Sequence, residues 1–484
     1  MMLDKFESLI LAAEDYSPEE FSNRHCFSKY DRRLISKLAA HGPVLLRGGR
    51  GSGKSALMIE ASQQLAPYKK NASAFGVYIS LRHLGLLRSE GKAYESLFFE
   101  LLISRVQESL KNMENMPVLF DPESDISSVQ TKLSKLSIKL KLRVVLLFDD
   151  AAHIGRETSL EPFFDIFRTL SSSTVSCKAA IYPGVTQFGK RFDVCNDATV
   201  LDISRNEELP GFDELFADIS KLHFATPFPK EFAGFLGQAV LGNMRAFIFA
   251  CNELFKGDDK INLKKLGGTL LSLCNNYYWP LLEELTPKMG KYEPMIDPAI
   301  KIADIMFRKC GDQGRRSALI HRDIISKLAK PFEVLEYAGF ISRRDASRAM
   351  KSGGRGSRFV LSLCVLLENT SGTRLTKELF QNWTDKRDEP AEFHRGNEIN
   401  AIKPPELSDS VNLSIIKQPI GNLKKSDAYP YGLTDNKINL LLKADLKTIG
   451  DLVSATDNQL LSLHNLGSGW LRRVRNVAAQ AIWM

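Results

Sequence analysis

At 484 residues the chain is too long for one ordinary domain, and its 44% hydrophobic residues are typical of a globular protein. No apolar run is long enough to span a bilayer, and the seven cysteines form no Cys-x-x-Cys pair, which argues against a zinc site or a disulfide framework. The net charge of +8 permits nucleic acid binding without requiring it. Because the N-terminus lacks a signal-peptide pattern, we expect a cytoplasmic protein.

The first motif along the chain is a phosphate-binding loop. An apolar run, Val44–Leu46, predicts a buried strand, and the residues 48–55 that follow satisfy the pattern G-x-x-x-x-G-K-[ST]. Lys54 is predicted to reach the β- and γ-phosphates of ATP, and Ser55 to hold Mg²⁺. The residues predicted to bind the nucleotide are Gly48, Gly51, Ser52, Gly53, Lys54, Ser55 and Ala56. An accidental glycine-rich turn is the alternative, which the strand before and the helix after the loop disfavour.

The second motif is an apolar strand that ends in two acids, Arg143–Asp150. Ligands of open α/β sheets bind at the carboxyl ends of the strands, so both carboxylates are expected at the nucleotide. Asp149 is predicted to hold Mg²⁺, and Asp150 to act as general base or to orient the attacking water. Further strands are predicted at 74–80, 178–182 and 199–203, which together with the intervening helices indicates a parallel sheet covered on both faces.

The next part of the chain is predicted to be helical up to residue 256, and beyond residue 291 three helices precede a β-hairpin. That order describes a winged helix. The hairpin carries a basic, glycine-containing loop that suits a DNA backbone or minor groove. The alternative, which is more common for such loops, is a solvent-exposed turn that binds no ligand. Glu333 and Glu336 would repel phosphate, so the third helix is not expected to read a major groove. The hairpin residues predicted to contact DNA are Arg343, Arg344, Arg348, Lys351, Arg355 and Arg358.

Residues 371–432 are expected to form a linker, because Pro, Asp, Lys and Asn mix there without periodicity. The chain then ends in a segment with a Leu-Gly-Ser-Gly hairpin that opens a helix, so its N–H groups are able to take a DNA phosphate. This segment resembles the C-terminal domain of the RNA polymerase α subunit, a helix-hairpin-helix fold. Its predicted DNA contacts are Gly467, Gly469, Arg472 and Arg473; a protein-docking domain is the alternative.

Residues 20–370 resemble the AAA+ and STAND P-loop ATPases, above all the clade of origin-recognition and initiator ATPases. The resemblance rests on the two motifs above and on Gly-Asn-Met-Arg at 242–245. It implies that Arg245 is the sensor-2 arginine that reaches the γ-phosphate from a helical lid. It also implies an arginine finger at Arg191, with Lys190 an equal candidate, and a sensor-1 residue at Thr186. Most relatives have glutamate where this chain has Asp150, which implies slow hydrolysis.

Together these observations predict an α/β fold with a parallel-sheet P-loop NTPase core. We expect the core at residues 1–206, a helical lid at 207–290, a winged helix at 291–370, the linker at 371–432 and a small all-α helix-hairpin-helix domain at 433–484.

The function expected from these parts is an ATP-dependent switch that binds double-stranded DNA. ATP, Mg²⁺ and slow hydrolysis would control DNA engagement or assembly into a homo-oligomer, in replication initiation, transposition targeting or anti-phage defence. One alternative is a STAND-type signalling ATPase whose C-terminal domains dock protein partners. Another is a DNA-binding regulator with a purely structural nucleotide site.

Overall fold

The structure is a computed structural model. It describes residues 13–67, 72–83, 85–86, 89–111, 125–152, 157–184, 188–189, 191–224, 229–255, 261–385, 388–407, 414–425, 432–463 and 468–483.

A five-stranded sheet forms the centre of the first part of the chain. Its strands are β1 (Val44–Arg47), β2 (Ala74–Ser80), β3 (Arg143–Ala152), β4 (Val175–Ile181) and β5 (Thr199–Asp202). The strands run parallel in the order β2-β3-β4-β1-β5. This arrangement confirms the predicted α/β fold with a parallel-sheet P-loop NTPase core. The loop after β1 and the acidic end of β3 meet at the carboxyl edge of the sheet, with β4 between them.

Helices cover both faces of this sheet and bury two separate apolar clusters. Phe98, Phe148 and Phe163 belong to the cluster on one face, and Leu57 and Leu147 belong to the other. The helices are Pro18–Arg24, Lys29–Ala39, Lys54–Gln64, Gly91–Ser109, Ile126–Leu140, Glu157–Leu170 and Val194–Asp197.

The chain then forms a helical region that packs against the phosphate-binding loop. Its helices are Phe212–His223, Lys230–Ala239, Met244–Leu254, Leu263–Leu273 and Trp279–Leu285. The third of these begins after Asn243, whose side chain accepts a hydrogen bond from the backbone N–H of Ala246. Gly242 precedes the cap with φ +74°, and a Cβ there would lie 2.7 Å from the carbonyl oxygen of Arg205. Only glycine therefore lets this helix start so close to the nucleotide loop.

A second mixed module follows. Its helices are Ile296–Asp312, Arg322–Lys327, Ala329–Ala338, Leu363–Glu368, Lys377–Thr384 and Glu398–Ala401, and its strands are β6 (Ser317–His321), β7 (Ile341–Ala349), β8 (Arg355–Leu361) and β9 (Ala391–Phe393). The strand order is β7-β8-β6-β9, with the β7–β8 hairpin antiparallel and β9 parallel to β6. This module shares one apolar cluster with the helical region before it.

Part of the segment expected to be a linker belongs to this module. Strand β9 completes the sheet, and Trp383 is 1% exposed in the shared apolar cluster. A strand of three residues is too short to produce a periodicity that can be recognised in a sequence.

The C-terminal part of the chain has its own apolar cluster. Its helices are Asp435–Lys443, Ile449–Ser454, Asp457–Leu461 and Ser468–Trp483. Arg475 joins them, because its guanidinium pairs with Asp457 and donates to the carbonyl oxygens of Leu452 and Ala455. Across the described residues of the whole chain, every helix is too short or too polar to cross a membrane.

A buried ionic cluster links the segment directly after β5 to the second module. Glu207, just beyond β5, accepts hydrogen bonds from Arg316 at 2.7 Å and from Arg344 at 3.1 Å. All three side chains are buried. Burial opposes ionisation of the carboxyl, but the two guanidinium charges outweigh it and lower the pKa of Glu207 from 4.5 to about 2.

We expect Glu207→Gln to lower the free energy of unfolding by about 3–5 kcal/mol, because it leaves buried guanidinium groups without their counter-charge. The pKa of Glu207 is lowered on folding, so its contribution is complete above pH 4.5 and is lost as the pH falls from 4.5 towards 2. Urea titrations at pH 7 and below pH 4 measure both effects. Glu208→Gln removes a neighbouring, exposed carboxylate and serves as the control; equal effects of the two substitutions would contradict the assignment.

Candidate nucleotide site

The phosphate-binding loop folds around the ammonium group of Lys54. Lys54 begins the helix after the loop, and Gly53 before it has φ +87°. Nζ of Lys54 donates hydrogen bonds to the carbonyl oxygens of Gly48 at 2.8 Å and Gly49 at 3.0 Å. It also lies 3.6 Å from the centre of the Tyr182 ring. The ammonium is therefore buried between its own loop and an aromatic face.

Asp149 lies in the same buried site, at the end of β3. The hydroxyl of Tyr78 donates to its carboxylate at 2.6 Å, and the Ser55 hydroxyl also hydrogen-bonds to it. Burial raises the pKa of Asp149, and the neighbouring Asp150 raises it further. Burial lowers the pKa of Lys54, whereas the charges of Asp149 and Asp150 oppose that change. The structure thus brings together the lysine, the serine and the two acids that the sequence predicted for the site.

Asp150 is held by two residues that the sequence analysis missed. Nε of Arg82 donates to one carboxylate oxygen, and the Tyr182 hydroxyl donates to the other at 3.2 Å. Arg82 also forms an ion pair with Glu14. The backbone of Asp150 has φ +53°, a strained conformation for a residue with a side chain. Arg82 and Tyr182 follow β2 and β4 at the carboxyl edge of the sheet, so strand position was the signal that could have identified them.

The helical region contacts the loop from the side opposite the sheet. The side-chain amide of Asn243 donates to the carbonyl oxygen of Arg50 at 2.6 Å. The backbone N–H of Arg245 donates to the carbonyl oxygen of Gly51 at 3.3 Å. The charge of Arg245 contributes to the lowered pKa of Lys54. Arg245 therefore lies where the sequence resemblance expects a γ-phosphate contact, although that role stays a prediction.

A cavity of about 160 Å³ is lined by residues of the loop and the helical region, among them Arg50, Ser52, Lys54, Ser55 and Arg245. Within the described part of the chain, Nε and Nη1 of Arg50 and the Ser52 hydroxyl are buried without hydrogen-bond partners. Buried donors without partners suit an anionic ligand, because they gain the hydrogen bonds they lack. The hydroxyl of Ser55 and the carboxylate of Asp149 are the hard oxygen ligands that Mg²⁺ prefers. The residues present therefore fit a magnesium–polyphosphate group.

The predicted arginine finger does not line this cavity. Arg191 is exposed and is absent from the cavity lining. Thr186 and Lys190 lie outside the described residues. An action of Arg191 on the nucleotide of a neighbouring subunit stays a prediction.

The six predicted DNA-binding residues of the hairpin fall into two groups. Arg348, Lys351 and Arg355 are exposed, and Arg343 is half-buried. Arg344 and Arg358 are instead in the interior.

The buried placement of those two arginines corrects the expectation that they face DNA. Arg344 pairs with Glu207, and Arg358 lies 3.5 Å from the carboxylate of Asp388. The sequence suggested one long flexible loop, but β7 and β8 extend through the basic residues, and the turn occupies only residues 350–354. Alternation along strands then turns some of the arginines inwards.

The structure describes only some of the C-terminal residues that are predicted to contact DNA. Gly467 lies outside the described residues. Gly469 and Arg472 lie in the helix Ser468–Trp483, where the side chain of Arg472 is outside the described part. Arg473 is half-buried. Burial lowers the pKa of Lys437, and the positive charge of Arg473 lowers it further.

No family model and no curated protein matches this chain. Among solved structures, a Walker-type ATPase of Pyrococcus abyssi is similar, at 15% identity over 70% of this chain and 93% of that one, with a TM-score of 0.40. The ORC1 protein of Aeropyrum pernix in complex with DNA has 13% identity over 78% and 94%, with a TM-score of 0.31. Domain III of the replication initiation protein DnaA of Thermotoga maritima has 16% identity over 54% and 95%, with a TM-score of 0.29. At these values the likenesses carry no functional conclusion.

We expect Lys54→Ala to weaken ATP binding roughly a hundredfold, equivalent to about 3 kcal/mol, because the phosphates lose a buried charge-assisted contact. Isothermal titration calorimetry measures the affinity. Lys37→Ala removes an exposed lysine from a core helix and is the control, with unchanged affinity. Tight ATP binding by Lys54→Ala would show that the loop does not hold the phosphates.

Proposed function

We propose that this protein is an ATPase of the AAA+ type that binds double-stranded DNA and whose nucleotide state controls DNA engagement. One observation supports this proposal best. Four residues lie together in one buried site at the carboxyl edge of a parallel sheet: Lys54, Ser55, Asp149 and Asp150. Such a set provides the cation, the metal ligands and the carboxylate that phosphoryl transfer to water requires.

Each of these residues has a distinct role in the proposed reaction. Lys54 leaves the carbonyl oxygens of its own loop and contacts the phosphates. Ser55 and Asp149 would hold Mg²⁺, and the ion would supply positive charge to the phosphate oxygens. Asp150 orients the attacking water. Asp150 is buried, and its two carboxylate oxygens accept hydrogen bonds from Arg82 and Tyr182. A water reaches this carboxylate only if the groups around it move, and we infer slow turnover.

The nucleotide loop also contacts the second module, which we propose to be a winged helix. The backbone N–H of Arg50 donates to the carbonyl oxygen of Tyr337 at 3.3 Å. The rings of Tyr182 and Tyr337 lie 5.1 Å apart, and the Tyr182 hydroxyl reaches Asp150. A rearrangement of the loop around a triphosphate therefore changes contacts with this module, which supports control of DNA engagement by ATP.

The exposed basic residues of the β7–β8 hairpin support DNA as the partner. Arg348, Lys351 and Arg355 lie within one short hairpin end, where their charges add in attraction for a phosphate backbone. The C-terminal helical domain is a second proposed DNA contact, through Arg473 and its neighbours. The same proposal includes assembly into a homo-oligomer, with Arg191 as arginine finger, and a role in anti-phage defence.

A STAND-type signalling ATPase whose C-terminal domains dock proteins is the second candidate. The observation that favours it is the burial of Arg344 and Arg358 in intramolecular ion pairs, which leaves fewer cations for DNA.

DNA-stimulated ATP hydrolysis distinguishes the two candidates. We expect a duplex to raise the steady-state ATPase rate of the full chain at fixed ionic strength. The reason is that the second module carries the proposed DNA contacts and also touches the nucleotide loop. An ATPase that hydrolyses ATP at the same slow rate with and without duplex would favour protein docking instead.

We expect Asp150→Asn to keep ATP affinity and to lower turnover roughly 10²–10⁴-fold, the range in which a positioned acid–base group contributes. Calorimetry and phosphate release measure the two quantities separately. Asp218→Asn makes the same chemical change at an exposed position and is expected to leave both unchanged. Normal hydrolysis by Asp150→Asn would show that another group positions the water.

A further inference from the structure

The turn of the β7–β8 hairpin holds a carboxylate through its backbone. The N–H of Lys351 donates to Oε1 of Glu392 at 2.7 Å, and the N–H of Ser352 donates to Oε2 at 3.2 Å. Gly353 and Gly354, with φ +90° and +83°, close the turn. Two consecutive amides thus face one anionic group, an arrangement that also binds phosphate oxygens.

A second carboxylate neutralises the cations beside this turn. Glu389 forms an ion pair with the ammonium of Lys351 and lies 3.2 Å from the guanidinium of Arg315. Both glutamates belong to one short segment, residues 388–393, which we call the acidic strap. Its sequence is Asp-Glu-Pro-Ala-Glu-Phe. A third acid of the strap, Asp388, accepts hydrogen bonds from Ser317 and Arg358 in the interior.

The strap is fixed to the sheet by its apolar residues and not by its glutamates. Ala391 and Phe393 are buried, and with Glu392 between them they form β9, which pairs with β6. Alternation along the strand directs Glu392 to the opposite side from its neighbours, where it reaches the turn. The two glutamate side chains can therefore rotate away while the strand stays in place.

The ion pairs of Glu389 and the hydrogen bonds of Glu392 lie near the surface, where they can be exchanged for other partners. Half of the Glu389 side chain and most of the Lys351 side chain are exposed, and exposed pairs contribute only about 0–1 kcal/mol. Burial favours a neutral Glu392, but the hydrogen bonds from Lys351 and Ser352 outweigh it and lower the pKa of this carboxyl. The hydrogen bond from Lys351 also lowers the pKa of Glu389, so both glutamates are charged at neutral pH, as a competitor of phosphate must be.

We propose that the hairpin turn is a binding site for a nucleic acid phosphate and that the acidic strap occupies this site until DNA displaces its carboxylates. The site consists of the amides of Lys351 and Ser352, the ammonium of Lys351 and the guanidinium of Arg315. A phosphate offers the same anionic oxygens to these donors, and it brings the attraction of the neighbouring phosphates of the duplex. This inference rests on the proposed function, because it assumes that the hairpin is a DNA contact.

The double variant Glu389→Gln, Glu392→Gln tests the proposal in the full chain. We expect it to bind a fluorescent duplex roughly tenfold more tightly, with a salt dependence steeper by about one or two phosphate contacts. The control, Glu398→Gln, Glu406→Gln, removes the same charge from the same stretch of chain. Glu398 pairs with Arg308 on the surface, and Glu406 is exposed, so the control is expected to change affinity less than about twofold.

Amide hydrogen exchange gives a second readout. The amides of Lys351 and Ser352 are expected to exchange faster in Glu392→Gln than in the wild type, and to become protected again when duplex binds. Unchanged exchange in Glu392→Gln would overturn the proposed occupancy of the turn.

The remaining outcomes separate this inference from the proposed function. Equal gains by the strap variant and its control would mean that only long-range charge matters, and would overturn the inference. Tight duplex binding by the wild type with no gain in the strap variant would overturn the inference and leave the proposed function standing. Absence of duplex binding in the wild type and in both double variants would overturn both.

Discussion

The structure of the candidate site depends on a buried ammonium group that is surrounded by oxygen atoms. Lys54 has lost most of its hydration, and two loop carbonyl oxygens and two nearby carboxylates compensate for that loss. In such an environment charges interact more strongly than in water. Under the proposed function, the same electrostatics that hold the loop also prepare it for the charges of a triphosphate and its metal ion.

The loop is also the point where three parts of the chain meet. Asn243 contacts it from the helical region, and Tyr337 contacts it from the second module, while β1 and β4 support it from the sheet. Allosteric control requires a contact that differs between two states. In the proposed function the loop rearranges around the phosphates, and the hydrogen bond from Arg50 to Tyr337 of the second module is the contact that would differ between the two states.

Motifs of the sequence predicted the centre of the site because their chemistry is local. The loop pattern and the acidic strand end identified Lys54 and Asp149 without any knowledge of packing. Arg82 was missed because its partners, Glu14 and Asp150, are distant in sequence and meet it only in the folded chain. The sequence predicts Arg344 at the surface for the same reason, because a basic residue in a strand gives the same pattern whether its side chain faces solvent or a buried acid.

The central claim is that the nucleotide at Lys54 controls the affinity for DNA. It is tested most directly by measuring duplex affinity of the full chain at one salt concentration with ATP, with ADP and without nucleotide. The account predicts binding that is roughly 5–150-fold tighter with ATP than with ADP, the usual range of coupling between two sites, and no such difference in Lys54→Ala. Equal affinities in all three conditions, in a protein that demonstrably binds ATP, would contradict it.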